Sequence, residues 1–235
     1  NLRMTTRPTL LITNDDGIEA PGLATLAAAA SALANVVVVA PTQHLSGCSH
    51  QVTVDRPPTA ARVREIWYAV NGTPVDCVRL ALLQICPAAT WVLSGVNDGG
   101  NLGIDVWMSG TVAAVREASF LGRRGIALSQ YRRRGEQPVW SRTAAHTARV
   151  LEYLLPQSPS PGNFWNVNFP AGDVAMAELI VCRLDPHPLP VKYEAKGDEF
   201  HYRTSYQDRH REPKHDVDVC FGGDISITPV DGLAR

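Results

Sequence analysis

Two adjacent carboxylates, Asp15 and Asp16, follow the short apolar run Leu10-Leu11-Ile12-Thr13-Asn14 and precede Gly17. Neighbouring anions at a strand end are costly to bury unless a cation holds them. Two further loops carry oxygen donors: Ser46-Gly47 comes after the run Val36 to Ala40, and Asn97 comes after Trp91 to Val96. Two carboxylates, a hydroxyl and an amide oxygen make an all-oxygen set. Such a set takes Mg²⁺ or Mn²⁺, with Ca²⁺ as a crystallographic substitute, in preference to zinc. Asp98 to Gly103 is glycine-rich and leads to Ser109-Gly110-Thr111 at a helix start. Backbone N–H groups and the helix dipole favour a phosphate at such a junction, and the Ser109 and Thr111 hydroxyls add donors. A cation on one side and N–H groups on the other would bracket a phosphoryl group and stabilise charge on its oxygens. Either Asp15 or Asp16 would then orient the attacking water or manage its proton.

Taken singly, each of these patterns also reads as an ordinary turn. Their joint meaning depends on three strands ending at one edge of a sheet. The periodicity supplies those strands. Thr9 to Thr13 reads as a first strand, and Pro21 suits the first turn of a helix. Leu23, Leu26, Ala27, Ala30 and Leu33 then recur at helical spacing. Val36 to Ala40 reads as a strand covered on both faces. Val52 with Val54, and then Ile66, Tyr68 and Val70, suggest two extended segments. Thr73-Pro74-Val75-Asp76 is a capping-box helix start. Trp91 to Leu93, Gly125 to Ser129 and Phe164 to Phe169 read as further strands, with a long amphipathic helix over Pro138 to Leu155. Asp224 to Pro229 reads as a strand returning to the body. The alternation predicts an α/β fold with a mostly parallel sheet.

The chain has 235 residues, 45% apolar and 19% charged, with a formal net charge of -1. This suits one globular α/β unit with an appendage and argues against a dedicated nucleic-acid binder. Five cysteines without a CxxC pair suit reduced thiols in the cytoplasm. No apolar run is long enough to span a membrane. Residues 1–3 precede Met4 and are set aside from fold reasoning. Arg132-Arg133-Arg134 reads as a solvated loop, Asp105 as a plain loop residue, and His44 and His50 as surface or hydrogen-bonding residues. His201, His210 and His215 fall in a charged, aromatic stretch with little periodicity and read as solvent-facing or interface groups. P-loop, dinucleotide and serine-hydrolase signatures are missing.

In order along the chain, five motifs and a final strand resemble the SurE family of survival-protein phosphatases. They are Asn14-Asp15-Asp16-Gly17-Ile18 with Ala20-Pro21-Gly22; Val39-Ala40-Pro41 leading to Ser46-Gly47; and Gly72 to Val78. Ser94-Gly95-Val96-Asn97 with Gly100-Asn101-Leu102-Gly103, Ser109 to Ala114, and Ile225 to Pro229 complete the match. The resemblance implies a Rossmann-like three-layer sandwich and a divalent cation on Asp15, Asp16, Ser46 and Asn97. It also implies phosphate near Asn101, Ser109, Gly110 and Thr111. The implied activity is that of a 5′-nucleotidase, hydrolysing nucleoside monophosphates (5′ and also 3′) and short polyphosphate. The implied assembly is a homodimer or homotetramer exchanging C-terminal arms. Met108 stands where the family usually has a tyrosine, and Asp98 where it has a small residue.

Residues 4–184 are thus expected to form the catalytic core, residues 185–216 a protruding arm or hairpin used in oligomer contacts, and residues 217–235 a return strand and tail. Two other readings remain open on the sequence. One is a metal-dependent deacetylase, although the His-Pro expected before paired aspartates is missing. The other is a nucleotide- or metal-binding protein without turnover.

Overall fold

The computed structural model describes residues 7–157 and 159–233. Met4, the residues before it and the last two residues of the tail lie outside the described residues. Strand β1 (Thr9–Thr13) feeds helix α1 (Pro21–Ser31), followed by β2 (Asn35–Pro41), β3 (Ala60–Arg64), β4 (Trp67–Val70) and α2 (Pro74–Leu80). Then come β5 (Trp91–Asp98), α3 (Gly110–Phe120), β6 (Arg124–Gln130), α4 (Trp140–Leu154) and β7 (Asn163–Phe169). The C-terminal part adds β8 (Leu179–Val181), the hairpin β9 (Tyr193–Lys196) and β10 (Glu199–Tyr202), α5 (Asp216–Gly222) and β11 (Ile225–Asp231).

Among the described residues, nine strands form one sheet in the order β3-β4-β2-β1-β5-β6-β7-β11-β8. From β4 to β7 every neighbouring pair is parallel, while β3 and β11 join antiparallel. The chain winds outward from β1 through β2 to β4, then returns to β5 on the other side of β1. That reversal opens a crevice at the carboxyl ends of β1 and β5, where open α/β sheets hold ligands.

Alternation along the strands builds the three layers. Leu10 and Ile12 of β1 face α1 and α4, together with Leu23, Leu26, Leu93 and Leu151. Leu11 faces α2 and α3, together with Val39, Val78, Val92 and Val115. All three β1 side chains are fully buried, and truncating any one to alanine would cost about 2–5 kcal/mol. The strand that delivers Asp15 and Asp16 is therefore held from both faces. The entry of α1 is fixed by contact: a Cβ on Gly22 would lie 1.9 Å from the Val96 carbonyl oxygen. Only glycine lets α1 approach β5 this closely, and that approach brings Ala20 and Pro21 to the crevice.

The capping box at Thr73 is present, with the Thr73 N–H donating to Asp76 Oδ2 at 2.8 Å and the Asp76 N–H to Thr73 Oγ1 at 3.2 Å. One expected strand is misplaced. Val52 and Val54 lie in irregular chain, and the strand is β3, eight residues on from Val52 at its start. Every residue of β3 is exposed, so it carries no apolar alternation to read. The stretch after Asp185 does contain a two-stranded hairpin, β9–β10, largely exposed.

Candidate metal and phosphate site

The turn after β1 separates the two carboxylates. Asn14 is buried and closes it, with Nδ2 donating to the Gly17 carbonyl at 2.9 Å and Oδ1 accepting the Gly17 N–H at 3.2 Å. Gly17 has φ +102°, a region that costs an L-residue strain. Asp15 points inward and is 4% exposed. Its Oδ1 accepts the Thr111 hydroxyl at 2.5 Å. Burial pushes its pKa up to about 6 despite that bond, and the adjacent Asp16 carboxylate adds to the rise. Asp16 faces the crevice. Its Oδ2 accepts the Asp98 N–H at 3.2 Å, and its Oδ1 lies 3.2 Å from His44 Nδ1. Burial raises its pKa as well.

The second loop is tied to the first through backbone. The Leu45 N–H donates to the Asp15 carbonyl at 2.7 Å, and the Ile18 N–H to the Pro41 carbonyl at 2.8 Å. Ser46 is exposed at the rim. His50 anchors the loop's far end: its Nε2 lies 2.9 Å from Glu117 Oε2 on α3, whose Oε1 accepts from Arg79 Nε at 2.6 Å. His44 and His50 thus both have hydrogen-bonding positions.

The third loop closes the crevice. Asn97 Nδ2 donates to the Gly99 carbonyl at 2.8 Å, which fixes the amide so that Oδ1 is the uncommitted ligand-type atom. Its neighbour Asp98 bonds Asp16 through backbone and pairs with Arg132 Nε at 2.7 Å through its carboxylate. Asn101 is buried in an amide network. Its Nδ2 donates to Ser129 Oγ at 2.8 Å, its N–H to Asn168 Oδ1 at 2.8 Å, and its carbonyl accepts from Asn166 and Asn168. These bonds lock the glycine-rich loop to β6 and β7. The signal for this network was the Asn-Val-Asn alternation in β7, two amides on one face of an otherwise apolar strand.

At the start of α3, Ser109 is the N-cap and accepts the Val112 N–H at 3.1 Å. A Cβ on Gly110 would lie 2.8 Å from Cys48 Sγ and 3.0 Å from both Cβ and Oδ2 of Asp15. The positive end of α3 therefore presses directly on the Asp15 carboxylate. Thr111, whose hydroxyl was expected to add a donor for phosphate, donates it to Asp15, so it positions a carboxylate. Cys48 was not singled out from the sequence and belongs to this contact.

Asp16, Ser46, His44, Asp98, Arg132 and Trp140 are among the residues lining a cleft of about 430 Å³. Beside it lies a cavity of about 630 Å³ that shares Asp98 and Arg132 and is walled also by Arg133, Arg134, Tyr131 and Tyr206. Arg132 lines both spaces, and the exposed Arg133 and Arg134 line the second. Asp105 is an anchor, 2.8 Å from both the Tyr206 hydroxyl and Arg209 Nη1. The paired carboxylates with hydroxyl and amide oxygens nearby fit a hard divalent cation, and the helix start with its N–H groups fits an anion.

The chain is similar to several known proteins. The model of the family described as Survival protein SurE matches residues 10–187. A protein of Nostoc sp. (strain PCC 7120), named "Putative 5'-nucleotidase alr3139", is 49% identical over 223 residues, covering 94% of this chain and 98% of that one. The 5'-nucleotidase SurE of Methylocella silvestris is 38% identical, covering 94% and 92% respectively. The crystal structure of SurE protein from Aquifex aeolicus superposes with a TM-score of 0.87 at 30% identity, over 97% of this chain and 95% of that one.

Proposed function

The chain belongs to the survival protein SurE family, and from that premise we infer that it is a metal-dependent phosphomonoesterase acting on nucleoside monophosphates. The observation that carries the reading is the meeting of Asp15, Asp16 and the end of β5 beneath the N-terminus of α3, at the sheet's switch point. Asp15, Asp16, Ser46 and Asn97 would hold the cation. When bound it supplies charge neutralisation and polarisation of a phosphoryl oxygen. Thr111 holds Asp15 in place, and His44 with the Asp98 N–H holds Asp16. The open N–H groups at Gly110 and Thr111 face where phosphate charge would gather. Arg132 to Arg134 give the adjoining cavity a cationic wall suited to a phosphate-bearing substrate. Mg²⁺ or Mn²⁺ suits the oxygen donors. A zinc deacetylase is disfavoured, since the His-Pro expected before the paired aspartates is missing and the donors named here are oxygens.

Assembly and location follow the same reasoning. The exposed Tyr193, Phe200 and Tyr202 on the β9–β10 hairpin suit pairing with a second copy of the chain, as a homodimer or homotetramer. The five cysteines are free thiols, which suits the cytoplasm. Among the described residues, no helix is long and apolar enough to cross a membrane.

A phosphate-release screen tests the activity. The purified chain is given 5′- and 3′-nucleoside monophosphates or short polyphosphate, with Mg²⁺, Mn²⁺ or chelator. Release from a nucleoside monophosphate should fall by about 100-fold or more under chelation. Tight nucleotide binding without phosphate release would instead indicate a binding protein.

A further inference from the structure

The excursion that carries the β9–β10 hairpin leaves and re-enters the body at one place. Arg183 and His215 form a parallel bridge there, and the Asp216 N–H donates to the Arg183 carbonyl at 2.9 Å. Just inside this bridge, each foot of the excursion contributes a histidine. His187 comes from the outgoing foot and His210 from the returning one, and their rings lie 3.6 Å apart between centroids. Asp185 sits under the pair, 3% exposed. Its Oδ1 accepts the His187 N–H at 2.9 Å and lies 2.9 Å from His187 Nδ1, while its Oδ2 accepts the Glu212 N–H at 2.8 Å. One ligand-type atom from each of Asp185, His187 and His210 lies within 4.8 Å of the others. Glu212 Oε2 lies on the other edge of the His187 ring, 3.9 Å from Nε2.

We propose that Asp185, His187 and His210, with Glu212 beside them, bind a transition-metal ion of the Zn²⁺ type, which clips together the two feet of the hairpin-bearing excursion. Two imidazoles and carboxylate oxygen form a mixed N/O set, which selects Zn²⁺, Co²⁺ or Cu²⁺ over Mg²⁺. This sets it apart from the all-oxygen site at Asp15 and Asp16. Coordination by one ion also gives a reason for two histidines from separate segments to lie with ring centroids 3.6 Å apart.

The clip has a structural route to the rest of the molecule. The Asp185 N–H donates to Asp216 Oδ1 and the Gly103 N–H to Asp216 Oδ2, both at 2.7 Å. The foot of the excursion is therefore bonded, through Asp216, to the glycine-rich loop beside the catalytic cleft. Joining residues 187 and 210 closes a loop around the hairpin, which restricts the unfolded chain and the free hairpin alike.

The test uses Co²⁺ as an optical probe on the whole protein in saturating Mg²⁺, which fills the oxygen site. Visible d–d absorption should titrate to one equivalent per chain and vanish when Zn²⁺ is added. His210→Ala, an exposed position, and His187→Ala should each weaken Co²⁺ binding by more than about 10-fold and leave Mg²⁺-dependent phosphate release unchanged. Asp16→Asn should leave the Co²⁺ titration unchanged. Zn²⁺ should slow proteolytic cleavage between residues 190 and 205 in the parent chain and not in His210→Ala. Equal Co²⁺ binding by His210→Ala and the parent chain would overturn the proposal, as would loss of the visible signal in Asp16→Asn.

Discussion

Replacing Asp15 by asparagine is expected to lower metal-dependent phosphate release by about 100-fold or more and, in chelator above pH 7, to make the protein more stable. The two effects have one cause. In the absence of a cation Asp15 is a buried carboxylate beside another carboxylate, with a pKa of about 6 against 3.8 for the ordinary group. A carboxylate raised in the folded state favours folding below its unfolded pKa. That contribution is lost as pH rises through the folded value. Between pH 4 and pH 8 the cation-free protein should therefore lose roughly 2.5 kcal/mol from this group. Asparagine keeps an oxygen for the Thr111 hydroxyl and carries no charge, so the loss disappears. For a chain of this size the chelated variant should melt about 5 °C or more above the parent at pH 8, with the two converging near pH 4. A bound cation reverses the sign for the parent chain, since it needs the carboxylate ionised and releases a proton on binding. Melting curves at pH 4, 6 and 8, with chelator and with Mn²⁺, check each part. A variant that is active, or less stable than the parent at pH 8 in chelator, would contradict the account of Asp15.

Gly110→Ala is expected to disable the site by crowding alone, since it adds and removes no charge. The new methyl group would lie 2.8 Å from Cys48 Sγ and 3.0 Å from the Asp15 carboxylate. Cys48 is half-buried and can rotate away; Asp15 is held by Thr111 and by β1, so displacing it moves a ligand. Overpacking should cost about 1–3 kcal/mol. A shift of about 1 Å in a ligand should cost about 100-fold in turnover. Adding Cys48→Ala should return part of the stability and little of the activity, because the contact with Asp15 persists. Mn²⁺ affinity and turnover measured on the single and double variants would decide it. Full activity in Gly110→Ala would mean that α3 does not press on the carboxylate.

Much of this was legible in the sequence, for identifiable reasons. Strands β1, β2 and β5 are buried on both faces, so their continuous apolar runs announce them. The Thr73 cap and Pro21 are local signals that tertiary contacts did not override. Exposed β3 had no such pattern, and the expected extended segment fell instead on Val52 and Val54. At the site, residue types were readable while side-chain directions were not. Thr111 turns inward to Asp15, and Asn101 joins a network whose other members, Ser129, Asn166 and Asn168, lie far along the chain. Arg133 and Arg134 are exposed, as a solvated loop would be; what nothing local reveals is that residues 202–207 line the same cavity. The pairing of His187 with His210 was hidden in the same way, since the two are brought together by the course of a hairpin between them.

If oxygens from three strand ends surround one cation, anomalous scattering from crystals grown with Mn²⁺ will show it. A peak is expected about 2.1 Å from carboxylate oxygens of Asp15 and Asp16 and within coordination reach of Asn97 Oδ1 and the Ser46 hydroxyl. Mn²⁺ bound elsewhere, with no peak between those two carboxylates, would contradict it.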